Sequence, residues 1–387
     1  MLSELNDLLE KKDFDSFVKR ISEIGQEKML NPFAMRDLYE FCRENLDKLE
    51  GYYRAKVLMY LGNIAYVLRK LEDADKYYDE SLSLFLELAK KDYSYIKDAV
   101  YVLINRGTLA FDLRRYDDAE KHYISALDIL RDIGSEEEIA TVLNNLGVLF
   151  TATKRFKDAK KVLKEAVEIR TELANKDKKY LNDLIESLNN YGVLLKSEKD
   201  FEEAEKVFEK VLEISKDPGA LLNIASIKLE KGEYSEAKDI LDKLLKQNLP
   251  PYIRVKVLVA YAYANEKTGE LLDAGEKYLL AASISYLVMR QYNLSNLNFV
   301  AWLDKAMIYG DRETKEIAKA IMRGLEKLFY NAEPDVRSIN EDIPTARLIK
   351  KALTEGILED ISPKDEVETA AYLIAKDIVE QSAGNKV

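Results

Sequence analysis

The sequence predicts an all-α protein built as a solenoid of antiparallel helix pairs, with helical caps at both ends. Apolar residues recur three and four positions apart along most of the chain, which is the spacing of one helix face. Small residues also recur at matching places in successive segments. The alternation of apolar and polar residues that is typical of strands is absent from the sequence, so no sheet is expected.

The small residues define an internal repeat. In six segments a glycine or alanine is followed twelve positions later by an alanine, and both series advance by 45, 40, 45, 33 and 37 residues. The first series is Gly62, Gly107, Gly147, Gly192, Ala225 and Ala262, and the second is Ala74, Ala119, Ala159, Ala204, Ala237 and Ala274. A large apolar residue follows each alanine by four positions. We expect one helix pair per segment, with the small residues where the two backbones approach closely.

Stacked pairs bury faces that one pair would leave exposed, which predicts a solenoid with a concave and a convex surface. The expected domains are an N-terminal cap or degenerate repeat at 1–54, about six repeat units at 55–292, and a C-terminal helical capping bundle at 293–387. The alternative for residues 293–387 is a separate functional domain.

The irregular ends also contain helix signals. A helical hairpin is predicted at 2–24, with Phe17 where a repeat would have alanine. Asn31 and Pro32 form a helix start, and this helix is expected to run to Asp47. Near the C-terminus, Ser362 and Pro363 with Asp365 predict another cap. Helices are expected there at 295–309, 312–330, 344–356 and 363–382.

The repeat resembles a known family. The segment "LNNLGVLFTATKRFKDAKKVLKEAVEI" at 143–169 is similar to a tetratricopeptide repeat, as are the segments at 60–84 and 105–129. The spacing of 40 to 45 residues, with Asn before Gly, is most similar to the longer subclass of kinesin light chains and prokaryotic regulators. This resemblance implies a right-handed superhelix whose groove binds extended peptides. The dicarboxylate clamp of chaperone adaptors is not matched, because its lysine and second asparagine positions have other residues, namely Ile104, Asn144, Asn189 and Thr108, Val148, Val193.

Composition excludes several functional classes. The chain has 387 residues and a net charge of -11, which argues against nucleic acid as the main ligand. No apolar run is long enough for a membrane span, and the N-terminal acids do not fit a secretory signal, so we expect a cytoplasmic protein. Abundant Lys and Glu with one Cys and one His is typical of heat-adapted proteins.

Catalytic machinery is not apparent in the sequence. His122 is the only histidine and is expected to be a solvated surface residue, and Cys42 is expected to be a packing residue. A phosphate-binding glycine loop is absent from the sequence. We therefore expect no enzyme activity, no cofactor and no metal site.

Asparagines suggest how a ligand would be bound. The residues two before the small positions are Tyr60, Asn105, Asn145, Asn190, Asn223 and Ala260. The resemblance implies that these positions face the groove, where an amide can hydrogen-bond a peptide backbone through both its N–H and C=O groups. The alternative is that the amides bond neighbouring helices, and we expect this for Asn144. Aromatic residues expected to touch ligand are Tyr60, Tyr101 and Tyr263, while Trp302 is assigned either to junction packing or to ligand stacking.

Two functions follow from these observations. The first is a non-enzymatic adaptor or scaffold that binds a partner protein or peptide in extended conformation through an asparagine ladder. The second is a regulatory sensor whose repeats bind a small ligand or peptide and whose C-terminal tail acts on an effector. The sequence leaves open whether the chain forms a homo-oligomer.

Overall fold

The computed structural model describes residues 1–28, 31–292 and 299–384, and these ranges contain helices and turns but no strand. The prediction of an all-α repeat protein is therefore confirmed. The chain forms two compact units, Met1–Val207 and Phe208–Val387. The division falls inside helix Phe201–Ser215.

The first unit consists of consecutive helices joined by short turns. Its helices are α1 (Leu2–Glu10), α2 (Phe14–Lys28), α3 (Pro32–Glu44), α4 (Gly51–Val67), α5 (Leu71–Lys91), α6 (Ile96–Asp112), α7 (Tyr116–Ile133), α8 (Glu136–Ala152), α9 (Phe156–Lys176), α10 (Leu181–Ser197) and the start of α11 (Phe201–Ser215). Three short 3-10 helices lie between them, at Leu46–Lys48, Tyr93–Tyr95 and Lys178–Tyr180.

Glycines at the repeat positions make room for a large side chain of the next helix. A Cβ atom added to Gly62 would lie 2.4 Å from the ring of Tyr78, and one added to Gly147 would lie 2.3 Å from Cγ of Leu163. Both distances are far below van der Waals contact, so a larger residue would displace the partner. The repeat alanines are fully buried as expected. The repeat glycine, however, contacts the large residue sixteen positions later, and not the repeat alanine twelve positions later.

The turn inside each helix pair contains a residue with a left-handed backbone. Arg114 has a φ of 59° and Lys154 a φ of 61°. The following N–H reaches back into the helix, as when Arg115 donates to the carbonyl of Ala110 over 2.8 Å. This is the C-terminal helix motif that glycine usually completes, and Gly232 fills the corresponding turn in the second unit with a φ of 80°.

Helix lengths explain the longest repeat steps but not every step, since the step of 37 residues contains helix Tyr234–Leu245, which has only 12 residues. The steps of 45 residues contain α5 and α9, which have 21 residues each and are followed by a 3-10 helix. Asp92 and Asp177 cap these 3-10 helices by accepting from the N–H groups of Ser94 and Lys179. The step of 33 residues contains α11, which has only 15 residues. The second helix therefore varies in length from one repeat to the next, while the glycine and the large residue that it contacts remain sixteen positions apart.

The N-terminal predictions are largely confirmed. Helices α1 and α2 form the expected hairpin region, and Phe17 is fully buried. Asn31 caps α3, because its side chain accepts from the N–H groups of Phe33 and Ala34 over 3.1 Å each. The expectation that this helix reaches Asp47 is wrong, since it ends at Glu44 and a 3-10 helix follows.

The second unit comprises the end of α11 and the helices that follow it. They are α12 (Pro218–Lys231), α13 (Tyr234–Leu245), α14 (Pro251–Thr268), α15 (Leu271–Tyr292), α16 (Val300–Tyr309), α17 (Arg312–Tyr330), α18 (Pro344–Glu355) and α19 (Glu366–Gly384). Helices α17 and α18 match their predicted ranges to within one residue, which is inside the usual error of helix boundaries. The start of the predicted helix 295–309 lies outside the described residues.

Helix α19 begins later than predicted. Its first residue is Glu366, and Oδ1 of Asp365 accepts from the backbone N–H of Glu368 over 2.8 Å. The cap is therefore Asp365, and the predicted helix start at Ser362 and Pro363 is wrong.

Helices α15 and α19 pack against each other in the second unit. The guanidinium of Arg290 binds Asp377 through two hydrogen bonds of 2.9 and 2.8 Å, and Tyr286 donates to the same carboxylate over 3.1 Å. Ile374 and Ile378 of α19 are buried in the same apolar cluster as Tyr286. A bidentate pair beside an apolar contact fixes the orientation of α19 on α15. The predicted domain limit at residue 293 lies outside the described residues.

Candidate functional site

The predicted asparagines lie on the first helix of successive pairs. In the first unit Asn105, Asn145 and Asn190 lie on α6, α8 and α10, and these three residues are termed the amide row. Asn223 lies on α12 of the second unit. All four side chains are half-buried, so each amide is partly open to solvent.

Two members of the amide row are hydrogen-bonded to the preceding repeat. Nδ2 of Asn105 donates to Oδ1 of Asn63 over 3.0 Å, and Nδ2 of Asn190 donates to Oδ1 of Asn144 over 3.0 Å. The amide has two donors and two acceptor lone pairs, so one such bond leaves most of its capacity unused. These contacts match the alternative use of the asparagines, which is to bond a neighbouring helix.

Asn145 differs from its two neighbours in the amide row. Neither its amide nitrogen nor its oxygen has a hydrogen-bond partner within the part of the chain that the structure describes, and the same is true of Asn223. Half-buried amides without partners must bond water or a ligand. These two positions therefore retain the full hydrogen-bonding capacity of an amide.

Asn144 belongs to a buried polar network. Its Oδ1 also accepts from Ser187 Oγ over 3.2 Å, and Ser187 in turn accepts from Nη1 of Arg170 over 2.8 Å. Only 4% of Arg170 is exposed, and its Nη1 also donates to the carbonyl oxygen of Asp183. The expectation that Asn144 bonds the adjoining helix is confirmed.

Arg170 was not predicted as a structural residue, although the sequence contains a signal for it. It follows Ala159, Leu163 and Ala166 at the spacing of one helix face, and those three residues are fully buried. A charged residue in phase with an apolar face needs polar partners when it is buried. The hydroxyl of Ser187, the carbonyl oxygen of Asp183 and the carboxylate of Glu186, all on α10, supply them.

The predicted tyrosines have different surroundings. Tyr60 lies in a cavity of about 240 Å³ in the first unit that is also lined by Ile21, Met35 and Asn63. Tyr101 is exposed, and its hydroxyl donates to Glu138 over 2.8 Å. Tyr60 therefore borders a partly apolar cavity, whereas the Tyr101 hydroxyl is already bound to a carboxylate.

Glu138 links α6 to α8. Its carboxylate also accepts from Nζ of Lys97 over 2.7 Å and from the hydroxyl of Ser135. Burial acts to raise the pKa of Glu138, but the hydrogen bonds from Lys97, Ser135 and Tyr101 outweigh it and lower the pKa to about 2. The carboxylate is therefore ionised at neutral pH and holds Tyr101 in place.

The second unit contains a larger cavity, of about 540 Å³, which is termed the α16 pocket. Its lining comes from α12, α14, α15 and α16, and includes Leu229, Val255, Val259, Tyr263, Trp302 and Lys305. Cavities of roughly 300–1,000 Å³ are typical of ligand sites. The sequence assigns Trp302 either to packing or to ligand contact. Its indole packs against α14 and also borders this cavity, so the packing is observed and there is space for a ligand contact.

A polar triad lies at the side of the α16 pocket. Glu266 accepts from Nζ of Lys305 over 2.7 Å and from the hydroxyl of Tyr278 over 3.1 Å. Burial acts to raise the pKa of Glu266, yet the hydrogen bond and charge of Lys305 lower it overall. The triad joins α14, α15 and α16, so helix α16 is attached to α14 and α15 by both charge and apolar contact.

Cys42 and His122 are the single cysteine and the single histidine of the chain. Cys42 is buried, and burial raises the pKa of its thiol to about 12. His122 is half-buried, and burial together with Arg106 lowers its pKa. The described residues contain no group of three or more side chains suited to a metal ion.

Two stretches match family models of a known repeat. Residues 98–172 and 195–260 each match a model described as the tetratricopeptide repeat. The chain carries tetratricopeptide repeats. Asn105 and Asn145 lie within the first matched stretch and Asn223 within the second, whereas Asn190 lies between them.

Solved structures of tetratricopeptide repeat proteins have a similar fold. A repeat protein from Parabacteroides merdae is 16% identical over 73% of this chain and 97% of that chain, with a TM-score of 0.52. The apo form of RapI is 16% identical over 72% of this chain and 99% of that chain, with a TM-score of 0.53. BtubC from P. vanneervenii is 21% identical over 55% of this chain and 86% of that chain, with a TM-score of 0.49. At this identity the likeness concerns the fold alone.

No curated protein matches the chain. Among the described residues, none of the helices combines the length and the apolar character that a membrane crossing requires. The tetratricopeptide repeats support a protein-interaction role for the chain.

Proposed function

We propose that this protein is a non-enzymatic adaptor that binds an extended segment of a partner protein along its tetratricopeptide repeats. Asparagine amides would hold the backbone of that segment. The observation that carries the proposal is the half-buried amide of Asn145, which has no hydrogen-bond partner among the described residues although its neighbours in the amide row have one.

The contacts of the amide row suit backbone recognition. Asn63 accepts from Nδ2 of Asn105, and Asn144 accepts from Nδ2 of Asn190. Each bond orients the donor side chain and leaves the Oδ1 of that side chain as an acceptor for a peptide N–H. Asn145 offers both groups. The helix-linking bonds are therefore compatible with ligand binding, because they supply orientation and use only one donor.

The spacing of the repeats is compatible with an extended ligand. Packed helices lie roughly 8–10 Å apart, and an extended peptide rises about 3.3 Å per residue. Successive amides would meet the peptide at about every third residue. Tyr101 lies on α6 with Asn105, and Tyr60 lies on α4. Both would contact side chains of the peptide, while Asn223 offers the same amide in the second unit.

A selected peptide provides the test. Peptides that bind the intact protein are selected from a random display library, and their affinity is measured by calorimetry for the wild type and for Asn145→Ala. Each neutral hydrogen bond contributes about 0.5–1.5 kcal/mol, so this variant should bind roughly twofold to tenfold more weakly. Affinity should depend weakly on salt, because the contacts are to uncharged backbone.

Asn182→Ala is the matched control, because Asn182 is exposed on α10 outside the amide row. It should bind like the wild type. Unchanged affinity for Asn145→Ala, with an unchanged melting temperature, would refute backbone recognition by this residue.

One observation favours the second candidate function, a sensor whose tail acts on an effector. Trp302 and Lys305, which belong to the predicted tail, border the same cavity as the repeat helix α14. A ligand bound there would contact both parts of the second unit.

A further inference from the structure

The α16 pocket is formed jointly by repeat helices and by a helix outside the repeats. Val255, Val259 and Tyr263 come from α14, whereas Trp302 and Lys305 come from α16. The Glu266–Lys305 ion pair of 2.7 Å and the packing of Trp302 against Val255 and Leu258 hold the two helices together. The cavity is therefore bounded by helices fixed to each other.

Its walls suit a large apolar side chain. Val255 and Leu229 are buried, Val259 is half-buried, and the half-buried indole of Trp302 adds a flat aromatic surface. Aromatic rings pair favourably in offset or edge-to-face contacts, and Tyr263 is 37% exposed beside the same space. An aromatic side chain would bury more apolar surface here than a small one.

One charge at the pocket is uncompensated. Lys256 lines the cavity, is exposed, and makes no ion pair with any residue that the structure describes. The other lysine, Lys305, is bound to Glu266, and the acidic Glu230 at the cavity has an interaction partner of its own. A ligand carboxylate near Lys256 would therefore gain a pairing that the protein itself does not supply.

The distance between these features sets the ligand pattern. Lys256 lies about one helical turn from Val259, which is roughly 5 Å along the axis. In an extended peptide, side chains two residues apart lie on the same face and about 6.6 Å apart. The peptide spacing is the larger of the two, and the long flexible side chain of Lys256 can reach an acidic residue two positions from an aromatic residue in the pocket.

We propose that the α16 pocket binds a peptide segment in which an aromatic side chain inserts beside Trp302 and an acidic side chain two residues away pairs with Lys256. This inference rests on the proposed function in that the ligand is a protein segment. It uses residues of the second unit alone and does not depend on the amide row.

Trp302 provides the measurement, because it is the only tryptophan in the chain. The full-length protein is titrated with the blocked pentapeptide acetyl-Asp-Gly-Phe-Gly-Asp-amide while tryptophan emission is recorded. We expect a saturable blue shift with a Kd no weaker than about 5 mM, the range of a short peptide with few contacts. Replacing both Asp by Asn should weaken binding about twofold to fivefold, and replacing Phe by Ala about tenfold or more.

Lys256→Gln tests the charge. It should bind the Asp peptide as weakly as the wild type binds the Asn peptide, and it should leave binding of the Asn peptide unchanged. Lys243→Gln, at an exposed lysine of α13 outside the pocket, is the control and should bind both peptides like the wild type. Circular dichroism and melting curves verify that both variants fold.

Several outcomes would overturn the inference. They are the absence of a saturable shift with the Asp peptide, equal affinity for the Asp and Asn peptides, or equal effects of Lys256→Gln and Lys243→Gln. A shift caused only by self-association, seen as a dependence on protein concentration without peptide, would assign the pocket to a second copy of the chain. If the pocket test fails and Asn145→Ala weakens peptide binding, the adaptor function is supported without this pocket. If the pocket test succeeds and Asn145→Ala has no effect, the pocket is supported without the amide row.

Discussion

Asn190 on α10 donates through Nδ2 to Oδ1 of Asn144 on α8 over 3.0 Å. Asn105 on α6 donates in the same way to Oδ1 of Asn63 on α4, although Asn63 lies about one helical turn further along its helix than Asn144 does. The doubled asparagine at 144 and 145 thus has two different environments, since Asn144 is buried and bonded while Asn145 is half-buried without a partner among the described residues. One amide supports the packing of adjacent repeats, and the other remains open to a ligand.

We predict that Asn144→Ala destabilises the protein more than Asn145→Ala. Removing the Asn144 amide leaves the buried Ser187 hydroxyl and the Asn190 amide without their acceptor, which typically costs about 1–3 kcal/mol. Asn145→Ala should change stability by less than about 0.5 kcal/mol. Urea unfolding followed by circular dichroism gives both values, and a lower midpoint for Asn145→Ala than for Asn144→Ala would show that the two roles are reversed.

The close packing of each helix pair predicts a second result. Ala159 on α9 is fully buried, so Ala159→Leu introduces atoms where no space exists and should cost about 1–3 kcal/mol. The control is Lys161→Leu at an exposed position of the same helix, which should melt close to the wild type. An unchanged melting temperature for Ala159→Leu would contradict this account of the repeat.

The turn residues with positive φ predict a stabilising change. Lys154 has a φ of 61°, and glycine adopts this conformation without the steric cost of a Cβ atom. We expect Lys154→Gly to raise stability by about 0.5–1 kcal/mol. The opposite exchange, Gly232→Lys, should lower stability by a similar amount, because Gly232 has a φ of 80°. Melting curves of both variants test the pair, and a loss of stability in Lys154→Gly would argue against strain at this turn.

Glu138 predicts a pH dependence of stability. Its pKa in the folded protein is about 2, below the ordinary value of 4.5, because three hydrogen bonds outweigh the effect of burial. The carboxylate therefore stabilises the fold above about pH 4.5, and this contribution is lost as the pH falls towards 2. Glu138→Gln should destabilise the protein at pH 7 and should differ little from the wild type near pH 2.

Urea unfolding of Glu138→Gln across that pH range measures the effect. Glu136→Gln is the control, since Glu136 is exposed and its nearest pairing with Lys176 is 3.8 Å long. A stability difference that stays constant from pH 7 to pH 2 would rule out a charge effect at Glu138.

The sequence was sufficient for the repeated helix pair. The contacts of Gly62 and Gly147, and of the alanines that follow them, are local and occur at fixed separations. Residues three and four positions apart share one face of a helix. A residue sixteen positions later lies on the next helix, which packs antiparallel to the first after a short turn. Caps such as Asn31 could also be read directly, since the side chain bonds N–H groups only two and three residues away.

The partners of the amides were decided by tertiary structure. Asn190 and Asn144 are 46 residues apart, and Trp302 meets α14 only through the packing of α16. Asn145 and Asn190 have nearly the same local sequence, LNNLG and LNNYG, yet only Asn190 has a hydrogen-bond partner among the described residues, so the helix that carries an amide does not by itself determine what the amide bonds. That choice depends on which side chains the neighbouring helices bring within about 3 Å, and on how much water their packing excludes.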